Sequence, residues 1–214
     1  MFDAFNYRLP VPILEAVEGK RLVTGEDAGV AGPLPVMMEI DIETTSGGCA
    51  MRLVNSGFGE ESEKDDEVEG VRSGWDCALA ALDHWLTRGK PMGRTHRIAI
   101  RPTQASWAAL ASLYAGRAGL ARWLDDVAAP ERLAANDRVT ATIGGLPLTG
   151  TVLVHTGREV VLDWPEASGL LSLKAFPMGP NRALALDVGA WGDRTAGAVA
   201  AIERAVERLA AAAG

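Results

Sequence analysis

The chain is poor in the residues from which most redox and metal centres are built, with 2 cysteines and 3 histidines among 214 residues. Cys49 and Cys77 stand alone without CxxC spacing, which argues against a redox pair and points to reduced, buried thiols. His84, His96 and His155 are too widely separated for a metal-ligand motif, so neither a metal nor a cofactor is expected. No phosphate-cradling glycine loop and no serine, histidine and acid arrangement can be found, so no catalytic residue can be named. Positive charge is also in short supply: 28 acidic against 21 basic residues leave a net charge of −7, which argues against a nucleic-acid partner. No apolar run approaches the roughly 20 residues of a spanning helix. The opening MFDAFNYRLPVPILEAVEGK lacks a basic leader followed by an apolar stretch, so no membrane partner is expected and the cytoplasm is the expected compartment. The chain is rich in alanine and arginine, which fits a bacterial source.

What is present is patterning. Hydrophobic residues make up 48% of the chain, enough to bury one large core or two small ones. Phe5, Tyr7, Leu9, Val11 and Ile13 alternate as in a strand with one buried face, and Pro10 and Pro12 on the other face mark it as an edge. A turn at Gly19 and Lys20 leads to a return strand from Arg21, and residues 25–35 read as loop. Strands at 36–43 and 49–56, joined by TTSGG, complete an antiparallel meander.

From Asp65 the period becomes helical. Val68, Val71, Trp75, Leu79, Leu82 and Leu86 form one stripe, widened by Ala78 and Trp85, and this stripe is expected to lie on a sheet with Trp75 as its buried anchor. Asp65, Asp66, Glu67 and Glu69 crowd the first turn, where the helix dipole favours carboxylates; they read as a solvated helix start or as a dock for a basic partner. His84 reads as a boundary histidine or as a polar group of a cavity. The segment RGKPMGR at 88–94 is the candidate linker. Beyond it come a strand at 97–101, two short helices within 104–126 broken near Gly116 and Gly119, and strands at 137–143, 147–155, 158–164, 169–176 and 182–188. A last helix carries Val199, Ile202, Val206 and Leu209 on one face. The expected division is therefore 1–88 and 95–214.

Three pieces, LEAVEGKRLV at 14–23, RLVNSGFGE at 52–60 and GVRSGWDCALAALDHWL at 70–86, resemble in order and spacing the START-related SRPBCC superfamily. Within it they are most similar to domains like the C-terminal domain of the heat-shock protein 90 ATPase activator. GLARWL at 119–124 and GREVVLDWPE at 157–166 carry a looser resemblance in the second half. The resemblance implies an α+β helix-grip fold, a curved antiparallel sheet wrapped on a long C-terminal helix, used twice in tandem. The first half opens at a middle strand of that pattern, without the initial strand, two helices and early strands. Either the chain starts further upstream, or a partial sheet is completed by another surface, the second unit or another copy, which makes a homodimer an expected partner state.

A helix-grip implies a cavity, so the leading expectation is a small apolar molecule held in the second unit. Alternation and helix position give its candidate lining: Tyr114, Trp123, Leu162, Trp164, Leu171, Leu173, Phe176, Leu184, Leu186 and Trp191. The same residues also serve as a filled core. The resemblance equally admits a co-chaperone or other protein-interaction module, which an exposed apolar patch beside the acid run at 60–69 would favour. A cyclase or hydrolase would draw on His155, Asp163, Arg182 and Asp187. Alternation turns Asp163 and Asp187 away from the apolar face, toward solvent, and His155 beside its turn reads as a surface residue.

Overall fold

The computed structural model describes residues 11–25, 37–58, 64–89, 92–178 and 181–214. The alternating segment at 5–13 and the loop at 25–35 fall largely outside these residues. The chain divides into two compact units, Met1–Val68 and Glu69–Gly214.

In the first unit, strands β1 (Ile13–Val17), β2 (Arg21–Gly25), β3 (Met37–Thr45) and β4 (Gly48–Ser56) form an antiparallel meander in chain order, with β1 beginning at Ile13, where the expected first strand was to end. The register Leu22 to Ile40 to Leu53 gathers apolar side chains on one face. Directly beside it, Arg21, Asp41 and Arg52 pair on the other face. There Arg21 bridges Glu15 at 3.0 Å, Glu39 at 2.9 Å and Asp41 at 2.6 Å.

The second unit is built on a seven-stranded antiparallel sheet. Its strands are β5 (Arg94–Thr103), β6 (Asp125–Ala128), β7 (Arg138–Ile143), β8 (Leu146–His155), β9 (Glu159–Trp164), β10 (Gly169–Met178) and β11 (Asn181–Trp191), in the order β5-β11-β10-β9-β8-β7-β6. Helix α1 (Lys64–His84) precedes it, ending in a π-helical turn at Trp85–Gly89. Two short helices, α2 (Trp107–Ser112) and α3 (Arg117–Leu120), follow β5, and α4 (Thr195–Ala213) closes the chain. The Ser106 hydroxyl caps α2 by accepting from Ala109 N at 3.2 Å. The segment expected to stay helical to 126 instead becomes strand at Asp125, a short irregular edge whose register slips between Asp125 and Ala128 and in which Asp126 has φ 52°.

One face of this sheet carries the core. Val160, Leu162 and Trp164 on β9, Leu171, Leu173 and Ala175 on β10, and Leu184, Leu186, Val188 and Ala190 on β11 all point to it. Against them α4 sets Ala198, Ala201, Ile202, Ala205, Val206 and Leu209, recurring at helical spacing. Each large side chain fully buried here is worth about 1.5–3 kcal/mol of transfer free energy. The β7–β8 hairpin is fitted beneath α4 by its glycines. Gly144 and Gly145 have φ of 52° and 87°, and a Cβ on Gly144 would strike the Ala201 carbonyl. The Gly144 carbonyl in turn accepts from Arg204 Nε at 2.8 Å.

The opposite face of the sheet is covered by α1, and here the expected buried face of the helix is corrected. The helix buries Ser73, Ala81 and His84 and half-buries Cys77, a narrow and mostly polar stripe. The apolar stripe is turned elsewhere: Leu79 is 37% exposed, Trp85 39% and Leu86 51%, while Trp75 is half-buried. The cause is the sheet face it meets, which presents Glu159, Ser172, Asp163 and Asp187 and so selects polar partners. Residues from Glu69 onward group with the second sheet, to which Ser73 is hydrogen-bonded through Glu159.

Candidate functional site

The inner face brings together eight of the ten residues expected to line a site. Tyr114, Trp123, Leu162, Trp164, Leu171, Leu173, Leu184 and Leu186 lie in one buried cluster with α4. Its aromatic polar atoms are all engaged by backbone. Tyr114 donates its hydroxyl to Gly157 O at 3.0 Å, Trp123 Nε1 donates to Leu113 O at 3.1 Å, and Trp164 Nε1 donates to Pro147 O at 2.8 Å. Burial raises the Tyr114 phenol well above its ordinary range, although the nearby Arg158 charge pulls it down. His155, expected at the surface, is half-buried: its Nε2 lies 3.1 Å from Tyr114 O, and its ring meets that of Tyr114 edge-on at 6.4 Å.

Phe176 and Trp191 are not part of this cluster. Phe176 pairs with Ala183 and alternates with Leu173 and Ala175 by an odd step, which puts it on the outer face. Trp191 is one step out of phase with Ala190 and joins Ala81 and Leu170 beneath α1. His84 stacks on it, with ring centroids 4.5 Å apart and planes at 22°.

That outer face holds a layer of titratable groups that sequence reasoning sent to solvent or overlooked. Glu159 is wholly buried; Ser73 of α1 donates to its Oε2 at 2.5 Å and Ser172 to its Oε1 at 3.0 Å. Burial pushes the Glu159 carboxyl up, against the two hydroxyls and the Lys174 charge, with Asp76 adding to the rise. Asp163 is buried, bound by Arg88 Nη1 at 2.6 Å, with His84 Nδ1 3.6 Å away. Asp187 is buried as well, 2.7 Å from His96 Nε2 and 3.8 Å from Lys174 Nζ. Burial lowers the His84 imidazole below its ordinary value, with Arg88 adding to the effect and Asp163 opposing it. It also pushes the Cys77 thiol up to about 11, so at neutral pH this residue is a thiol and a poor nucleophile. Two signals in the sequence mark this layer: Glu159, Asp163, Ser172 and Lys174 alternate with the apolar core positions of their strands, and Ser73, Cys77 and His84 recur at helical spacing.

A third cluster sits at one end of the inner face. The starts of β9 and β11 and the end of β10 meet there, with α2 alongside. Arg158, just before β9, is opposite Ala175, whose N donates to Arg158 O at 2.8 Å. Arg182 pairs with Pro177, two residues further on along the same face. Both guanidinium groups lie over the Trp107 ring of α2, at 3.8 Å for Arg158 and 4.9 Å for Arg182 from its centroid. Of these three, only Arg182 was among the sequence candidates.

The first unit carries a shallow groove of about 620 Å³, lined by Val17, Arg21, Ile42, Met51 and Arg52 among others. Among the described residues, no group of three histidine, cysteine or acidic side chains could hold a metal ion. No described helix is long and apolar enough to cross a membrane.

These features define a class: an α+β protein whose second unit is a helix-grip, with an antiparallel sheet packed on a long C-terminal helix by its apolar face. No family model and no curated protein matches the chain. Among solved structures it is similar to the Aha1 dimer from Colwellia psychrerythraea, at 12% identity over 56% of this chain and 96% of that one, with a TM-score of 0.47. It is also similar to StfQ, the di-domain ARO/CYC of the steffimycin biosynthetic pathway, at 13% identity over 95% of this chain and 77% of that one, TM-score 0.44. A third likeness is to CalU16 from Micromonospora echinospora, at 14% identity over 56% of this chain and 83% of that one, TM-score 0.44. At these identities the likeness is one of architecture alone.

Proposed function

We propose that the chain is a small-molecule-binding protein whose second unit holds an apolar ligand between the sheet and α4. The observation that supports this most is the chemistry of the inner face. Tyr114, Trp123 and Trp164 each already give their donor to a backbone carbonyl, so an occupant meets surface area and little hydrogen-bonding capacity. The helix contributes small side chains, Ala198, Ala201 and Ala205, so a modest outward movement of α4 makes room along its length. Phe176 and Trp191, on the other face, lie outside this site. The four-stranded first unit is read as a partial grip with a structural role. Native mass spectrometry of the purified protein, followed by denaturing release, tests the ligand reading. One small apolar mass per chain supports it; an apo mass that no lipophilic probe changes sinks it.

A second reading, a protein-interaction module, is favoured by one feature. Leu79, Leu82, Trp85 and Leu86 leave an apolar stripe exposed on α1. A second copy of the chain or a chaperone are the partners it offers. Sedimentation velocity reads the first, as a dimer that weakens in Leu82→Glu. The ATPase rate of the host's heat-shock protein 90 reads the second, and a monomer without effect on that rate removes both. The cyclase or hydrolase reading draws no support from Asp163 and Asp187, which lie beneath α1 with cationic partners and away from the apolar interior.

A further inference from the structure

The geometry points to the open edge of β4 as the surface on which two copies of this chain pair, strand against strand, about a two-fold axis at Met51. The pairing is independent of the apolar-ligand reading and uses a surface other than the α1 stripe.

Three observations converge. First, β4 is open where the second unit is closed. Each sheet runs as a meander into the strand that precedes a long helix, β4 before α1 and β11 before α4. β11 lies between β10 and β5, and pairs with β5 from Arg182 to Trp191. Among the described residues β4 has β3 alone. Ile42, opposite Met51, sends its N–H to Lys20 O on the β2 side at 2.7 Å, so Ile42 and Met51 do not bond each other. Met51, and in the same phase Cys49 and Leu53, therefore turn N–H and C=O toward the open edge. Second, the other three strand edges are blunted. β1 follows Pro12 and slips in register between Ile13 and Glu15. β6 has four residues, two of them Asp125 and Asp126, and also slips. β5 carries Arg94, Arg97, Arg101 and Pro102. Such devices keep edges from pairing. β4 keeps nine residues in unbroken register with β3, has Arg52 as its single charge, and is exposed from Gly48 to Arg52. Third, the edge complements itself. In an antiparallel pair centred on Met51, that residue meets the partner's Met51 and Cys49 meets the partner's Leu53, which extends the apolar row where Met51 is 40% exposed and Ile42 38%. On the other face Arg52 lies opposite the partner's Ala50, and beyond that small side chain stands the β3 neighbour of Ala50, the partner's Glu43. The two-fold makes this ion pair twice. Moving the axis to Arg52 sets two arginines against each other, and moving it to Ala50 shortens the ladder and parts Arg52 from Glu43.

Sedimentation velocity of the full chain over a concentration series reads the pairing directly, and a dimer is expected. Met51→Pro removes an outward N–H at a position where a single sheet tolerates proline, and should weaken the dimer by about tenfold or more. Arg52→Glu should weaken it by about tenfold through repulsion from Glu43, and adding Glu43→Arg should restore most of the loss, a recovery that general damage to β4 would not give. Circular dichroism and thermal melting show which variants remain folded, and the charge exchange reads the pairing without proline. Leu82→Glu, on the α1 stripe, should leave this dimer unchanged. A monomer at every concentration overturns the pairing, as does a dimer that survives Met51→Pro and dissociates in Leu82→Glu. Either result leaves the apolar-ligand reading standing.

Discussion

Glu159→Gln tests most directly how α1 is held to the sheet. The carboxyl is wholly buried, receives hydroxyl protons from Ser73 and Ser172, and has Asp76 and Lys174 as its charged neighbours, with the Cys77 thiol close by. Its pKa is raised above 4.5, with burial the largest cause. In the window between the unfolded value and the raised folded value, the folded chain holds the proton and the unfolded chain does not. Stability therefore falls as pH rises through that window, by up to about 1.36 kcal/mol per pH unit, and levels off once the folded carboxyl has also ionised. Glutamine keeps the shape and the acceptor oxygen and has no proton to lose. The stability of Glu159→Gln relative to the native chain should thus climb with pH across the window and then become constant, because every other titrating group cancels in the difference. Urea denaturation followed by tryptophan fluorescence between about pH 4 and pH 8 gives that difference directly. A difference that is flat from acid to neutral, or that declines, refutes the argument that this carboxyl is held in a strongly desolvated site. A companion variant separates the hydrogen bond from the charge. Ser73→Ala removes the donor to Oε2 and should cost about 1–3 kcal/mol, with faster amide exchange along α1.

Burial and ring contacts elsewhere in the second unit set further outcomes. Trp164→Ala, at a position wholly buried in the inner cluster, should cost about 3–5 kcal/mol in chemical denaturation, clearly more than Trp75→Ala on half-buried α1; the reverse order would mean that the helix face has been assigned wrongly. His84, whose folded pKa lies below 6.5, should cost stability as pH falls through 6.5, because the unfolded chain takes up its proton first. His84→Phe keeps the stack on Trp191 and should flatten that acid limb; an unchanged limb rules the histidine out as its source. At pH 8, iodoacetamide should modify exposed Cys49 well before Cys77, whose thiol titrates at about 11, as peptide mass mapping would show.

The parts of the fold that could be read from residues were those where one physical signal acts alone. Strands β7 to β11 alternate cleanly because one face is apolar, and turns such as Gly144 and Gly145 are fixed by positive φ. Leu162, Trp164, Leu171, Leu173, Leu184 and Leu186 followed from that alternation, and Tyr114 and Trp123 from their place at the short helices. Phe176 and Trp191 went astray because aromatic character was weighed above phase: strict counting from Leu173 and from Ala190 puts both on the outer face. β6 was hidden because Asp125 and Asp126 make a poor strand in isolation and pair only through an irregular edge. Helix α1 shows a different limit. Its apolar period identified the helix correctly and the buried face wrongly, since burial was decided by a partner surface of Glu159, Ser172 and Asp163 lying about 90 residues further along the chain. The pairing of Arg158 and Arg182 over Trp107 was out of reach for a similar reason, as three residues far apart in sequence meet only once the sheet has closed.

The seven-stranded sheet thus separates two chemistries by a single residue step. Even positions of β9, with odd positions of β10 and even positions of β11, face α4 and carry apolar bulk that ends in the two arginines. The alternate positions face α1 and carry the carboxylates, Lys174 and the hydroxyl of Ser172. Substitutions on the first set should alter probe binding and leave the pH dependence of stability in place; those on the second should do the reverse. Leu173→Ala and Ser172→Ala are neighbours in sequence and make the sharpest comparison. If both changed probe affinity alike, the two faces would be acting as one site, and the assignment of binding to the α4 side would fail.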